Sequence, residues 1–127
     1  MTSVLNVDTI ADKAGTGPVG LTKQHAPKMW VHFDGTASGA AAQDSFGLAS
    51  MTDNGTGDYS CAMTNAMGNA NYCFHCSIEM NTGSNTNNFG SKDGNAQTTS
   101  VITIAVGNET ASIDTDEVCV TILGDLA

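Results

Sequence analysis

The sequence predicts an all-β protein: an antiparallel β-sandwich of jelly-roll-like type carrying an extended N-terminal arm. Three observations predict it. Short runs alternate apolar and polar residues with period two; Gly, Asn and Asp cluster between those runs; and no stretch shows the 3.6-residue period of an amphipathic helix. Such a pattern, repeated over about six or seven strands, fits two packed antiparallel sheets. The expected division is an arm over residues 1–27 and a sandwich over 28–127.

The arm combines a brief alternation, VLNVDTI, with KAGTGPVGLTKQHAP, in which Gly and Pro interrupt both helix and strand. Leu5, Val7 and Ile10 are too few apolar side chains for a core of their own. They are expected to dock on a neighbouring surface, which would hold an otherwise unanchored terminus in place.

From Met29 the period becomes two. In MWVHF, Met29, Val31 and Phe33 fall on one side, Trp30 and His32 on the other. DGTASGAAA reads as a loop, SGAAAQDSF as a place for a single helical turn, and QDSFGLASM as a strand with Phe46 and Leu48 on a common face. DYSCAM aligns Tyr59, Cys61 and Met63. ANYCFHCSIEM has the clearest alternation, with Tyr72, Phe74, Cys76, Ile78 and Met80 opposed to Cys73, His75, Ser77 and Glu79, and is expected to be a central strand with one wet face. NTGSNTNNFGSKDGNAQ reads as a loop. TTSVITIAVG then supplies Ile102, Ile104 and Val106, and VCVTIL closes the fold.

At 127 residues the chain is one domain in size. Its formal charge is -9 with four Lys and Arg, so the electrostatic term that draws proteins to phosphate backbones is repulsive, and nucleic acid is not an expected partner. No apolar run approaches the roughly 20 residues of a membrane-spanning helix, and the N-terminus lacks the basic and apolar regions of a signal peptide. The expectation is a soluble chain that is neither exported by a signal peptide nor inserted in a membrane. In that setting Cys61, Cys73, Cys76 and Cys119 are expected to be reduced thiols.

Each chemically suggestive motif has a structural reading beside it. TDNGTGD offers Asp53, Asn54 and Asp58 as oxygen ligands, but lacks the twelve-residue spacing and terminal Glu of a calcium loop. Asn54-Gly55 and Gly57 instead supply the positive φ of a hairpin turn. CFHC invites zinc, with Cys61, Cys73, Cys76 and Cys119 as ligands, yet residues three apart on a strand face opposite sides. The thiols are better read as small hydrophobes. Ser, Asp and the three His residues, His25, His32 and His75, sit in no nucleophile elbow, HExxH motif or phosphate loop, so no catalytic residue, metal or other cofactor is assigned. His32 reads as a surface or interface residue, and the acidic run ETASIDTDE as a solvated loop. Trp30 and Tyr59, with Asn and Asp nearby, would make a sugar-binding platform if both rings were exposed.

Two segments resemble a known family. LNVDTIADKAGTGPV, through Val7, Asp8, Thr9, Ile10, Gly15, Thr16, Gly17 and Pro18, is similar to a segment of virion proteins of marine tailed phages, notably those infecting cyanobacteria. The stretch from Lys28 to Phe74 resembles the compact β-domain that follows it in tail-fibre-like proteins, through Trp30, Val31, Phe33, Gly35, Asp44, Ser45, Phe46 and Thr52 to Tyr59.

The resemblance implies a non-enzymatic, homotrimeric appendage located on the virion. In it Leu5 and the matched residues of the arm would contact the attachment point or sister chains, and the β-domain would face outward. Almost no shaft separates the two parts, so a capsid head fibre or decoration protein fits as well as a tail fibre. The partners implied are the chain itself, other capsid or tail proteins, and a glycan of the host surface. Many copies would turn weak contacts into avidity. The alternative is a free carbohydrate-binding β-sandwich module.

Overall fold

A computed structural model of the protein describes residues 26–79, 87–92 and 97–127. Among the described residues there are eight strands and no helix: β1 (Met29–Phe33), β2 (Ala42–Phe46), β3 (Leu48–Gly55), β4 (Asp58–Met63), β5 (Cys73–Ile78), β6 (Asn87–Ser91), β7 (Val101–Asn108) and β8 (Val118–Leu123). They form two antiparallel four-stranded sheets, ordered β2-β1-β8-β5 and β3-β4-β7-β6. The last strand lies between the first and the fifth, and the seventh between the fourth and the sixth, so strands distant in sequence hold the centre of each sheet of the β-sandwich.

The period-two pattern decides which side of each strand is buried. Met29, Val31 and Phe33 of β1, Val118, Val120 and Ile122 of β8, Tyr59, Cys61 and Met63 of β4, and Ile102, Ile104 and Val106 of β7 all point inward and are buried. Phe33 of one sheet meets Tyr59 of the other edge to face, with ring centroids 5.0 Å apart and planes at 67°. Three inward positions from each of the four inner strands thus become one core shared by both sheets.

Where β2 becomes β3 the chain leaves one sheet for the other, and Gly47 makes the corner. Its φ is 68°, and a Cβ there would lie 2.4 Å from the Lys28 carbonyl oxygen, so no other residue fits. Phe46 and Leu48 therefore do not share a face, contrary to expectation: Phe46 belongs to the β1 sheet and is exposed, while Leu48 packs against the core from the other sheet. The helical turn expected over SGAAAQDSF is likewise absent, because Ala42–Phe46 pairs with the open edge of β1, and that ladder outweighs the weak helix preference of alanine.

Two further expectations are corrected. β5 has the predicted wet face, with Phe74, Cys76 and Ile78 inward and Cys73, His75 and Ser77 outward, but it is an edge strand rather than a central one. The segment read as the loop NTGSNTNNFGSKDGNAQ contains β6, paired with β7 through Asn87 to Ser91. Its Asn and Gly residues carry little strand signal, so the pairing is imposed by the open edge of β7.

TDNGTGD is the β3–β4 turn. Gly57, with φ 66°, could carry no side chain: a Cβ would sit 2.1 Å from the Val106 carbonyl oxygen. The oxygen groups of the turn are engaged within it, since Asp53 Oδ1 accepts from the Gly55 amide and Asn54 Nδ2 donates to Asp58 Oδ1 and Ser60 Oγ.

Candidate binding face

Register places the outward side chains of the β2-β1-β8-β5 sheet in rows. Trp30 lies opposite Phe46 on one side and Thr121 on the other, and Thr121 lies opposite His75. One row therefore reads Phe46, Trp30, Thr121, His75, and spans roughly 14 Å at about 4.8 Å per strand. The next row reads Asp44, His32, Cys119, Ser77.

Phe46 is 58% exposed, the largest exposure among the large hydrophobics described. The cause is its strand: β2 is an edge whose five residues are all exposed, reaching past the shelter of the opposite sheet. Trp30 beside it is half-buried. His32 Nε2 contacts Glu117 Oε2 at 2.5 Å, which fixes the imidazole at the far end of β1. Asp44 Oδ1 accepts from the Ser45 amide at 2.8 Å.

The four thiols divide between this face and the interior. All are free; Cys73 is exposed and Cys119 half-buried, while Cys61 and Cys76 lie in the core. Burial pushes the Cys61 and Cys76 thiols up to about 12, so both are protonated and inert at neutral pH. Among the described residues no group of three or more His, Cys, Asp or Glu is placed to hold a metal ion.

Tyr59 does not join Trp30 in a platform. It is fully buried, packed edge to face with Phe33, and its hydroxyl donates to Asp114 Oδ1 at 2.6 Å with the Gly35 carbonyl oxygen 3.1 Å away. The ring lies on the inward side of β4, so the period that made it look available as an aromatic also commits it to the core. Burial first, and then the hydrogen bond to Asp114, drive its phenol above the ordinary range.

Asp114 is what sequence reasoning missed. It sits in the acidic run read as a solvated loop, yet its Oδ1 also accepts from the Gly57 amide at 2.7 Å. One carboxylate thus ties the β3–β4 turn to the core tyrosine. The neighbouring signal, a buried Thr115 and a half-buried Ile113, is a single apolar residue amid acids and too weak to read from sequence.

The outer face of the other sheet carries small residues, Ser60, Ala62, Thr103 and Ala105, and its polar groups are paired with one another. Ser60 Oγ and Thr103 Oγ1 are 2.9 Å apart, and Lys92 forms an ion pair with Asp58. At the β6 edge a shallow groove of about 320 Å³ runs between Phe89 and Ala111–Ser112, floored by Val106 and Gly107.

Leu5, Val7, Asp8, Thr9, Ile10, Gly15, Thr16, Gly17 and Pro18, the expected anchoring residues, lie outside the described residues, as do His25 and Met80. No helix among the described residues is long and apolar enough to cross a membrane. No protein-family model, curated protein or solved structure matches this chain.

Proposed function

We propose that the protein is a non-enzymatic structural component of the exterior of a phage virion, either tail-fibre-like or a capsid head fibre or decoration protein. In this reading it is a homotrimer, anchored through residues 1–27 to other virion proteins and presenting the sandwich for host-surface contact or shell stabilisation. The observation that carries the proposal is the pairing of an exposed Phe46 with a half-buried Trp30 on one outer face of a β-sandwich whose first strand begins directly after residues 1–27. The resemblance of both segments to phage appendages supports it. Particles that lack the protein supply the test. The full chain is expected to bind them, and a variant with Leu5, Val7 and Ile10 all changed to Asp is expected to lose binding; undiminished attachment of that variant would refute anchoring by the arm.

A free carbohydrate-binding module is the second reading, favoured by the same pair of rings. It predicts a monomer that ignores the particles, which light scattering and the same binding assay distinguish from the first.

A further inference from the structure

We propose that the row Phe46, Trp30, Thr121, His75 is a binding site for an uncharged saccharide chain, with the two rings as the stacking platform. This deepens the host-contact part of the appendage reading and rests on it.

Register places Trp30 and Phe46 directly opposite one another on neighbouring strands, on the same side of the sheet. Side chains so placed have Cβ atoms about 4.5–5.5 Å apart, close enough for two rings to form one continuous apolar strip. An apolar strip of this kind matches a ligand that is itself ring-shaped and edged with C–H groups. The folded core has no need of it. Phe46 lies on the all-exposed edge strand and leaves more than half of its surface in water, so the core draws little on it.

What surrounds the rings selects the ligand. Thr121 and His75 continue the row with a hydroxyl and an imidazole, and Asp44 and Ser77 stand at the two ends of the next one. These are donors and acceptors suited to hydroxyl groups. Neither row contains Lys or Arg, and the chain as a whole carries -9, so phosphate, sulfate and carboxylate ligands meet a repulsive field. A protein partner of ordinary size needs about 800 Å² of surface on each side. A row roughly 14 Å long suits instead a few linked sugar rings lying across the strands.

Trp30 is the chain's one tryptophan, so its emission reports on this site alone. The full chain is titrated with neutral hexasaccharides of gluco, manno, galacto and N-acetylglucosamine type, and with a sulfated hexasaccharide as the charged arm. A saturable change in Trp30 emission is expected with at least one neutral member at millimolar concentration or below. Phe46→Ala is expected to weaken that binding by about tenfold or more while Phe46→Tyr retains it, with circular dichroism confirming that both variants are folded.

No response to any neutral saccharide, equal affinity in Phe46→Ala, or tighter binding of the sulfated ligand would overturn the proposal. So would a Trp30 emission and a molecular mass that change together with protein concentration and stop doing so in Phe46→Ala, because the face would then lie between copies of the chain. Loss of particle binding in the arm variant leaves these titrations unaffected, so the anchoring reading and the saccharide site fail separately.

Discussion

Outward from the β2-β1-β8-β5 sheet stand Trp30, Phe46, Thr121, His75, His32 and Cys119; outward from the β3-β4-β7-β6 sheet stand Ser60, Ala62, Thr103 and Ala105. Inward, both sheets carry the same kind of residue at every second position. Folding therefore asks the same of each sheet on its inner side and very little of either on its outer side. Small polar groups paired with one another, as in Ser60 with Thr103, are enough to make a stable wet face. The large rings of the other face, Trp30 and Phe46, exceed that requirement, and it is they that set the two outer faces apart.

The comparison breaks first if the inner faces are unequal. Phe33→Ala on one sheet and Ile104→Ala on the other each remove a fully buried side chain, and are expected to cost about 3–5 and about 2–5 kcal/mol in urea unfolding. A negligible loss at either position would mean that the two sheets do not share one core.

Next in size is an alkaline effect that the thiols of the inner face should produce. Burial pushes the Cys61 and Cys76 thiols from 9.0 up to about 12 in the folded protein. A raised native pKa leaves the native state fully favoured below the unfolded value; above it the unfolded chain loses protons that the folded chain keeps, so stability falls as pH rises from 9.0 towards about 12. The loss is about 1.4 kcal/mol per pH unit per thiol, or about 3 kcal/mol per thiol near pH 11. Urea midpoints measured across this range for the wild type and for Cys61→Val would check it. The variant is expected to show a shallower decline, and an unchanged slope would mean that Cys61 is not sheltered from water.

A smaller loss separates the core from its clamp. Tyr59→Phe keeps the contact with Phe33 and deletes only the hydroxyl that bonds Asp114, for an expected cost of about 1–2 kcal/mol in the same assay. Asp114→Ala should cost more, because the Gly57 amide would lose its acceptor and the buried hydroxyl would be left with the longer contact to the Gly35 carbonyl alone. The reverse order would show that the carboxylate is not the centre of the clamp.

How much of this was legible follows from where the information lies. Strands with one buried and one wet face announce themselves, so Met29, Val31 and Phe33, and likewise Ile102, Ile104 and Val106, could be assigned inward from period alone. β6 could not, since Asn, Gly and Ser at an edge take their conformation from a neighbour distant in sequence. The binding face was half legible for the same reason. Trp30 shows its outward position through its own strand, but Phe46 becomes its partner only through the β1–β2 register, and the corner at Gly47 hides that pairing in an apparently continuous QDSFGLASM. Tyr59, nearer to Trp30 in chemical type, was the natural companion, and its inward position on β4 removes it.

The smallest expected effect sharpens the contrast between the outer faces most directly. Thr103→Val on the small-residue face replaces a hydroxyl paired with Ser60, and Phe46→Ala on the aromatic face removes an exposed ring. Neither touches the core, so each should move the urea midpoint by no more than about 0.5 kcal/mol. Their equality in stability is the useful outcome. If Phe46→Ala is as harmless to folding as Thr103→Val but alone abolishes the Trp30 emission response to a neutral hexasaccharide, the ring is there to touch something outside the chain. Should Phe46→Ala instead cost several kcal/mol, the ring would be holding the β2 edge in place, and the difference between the two faces would reduce to one of packing.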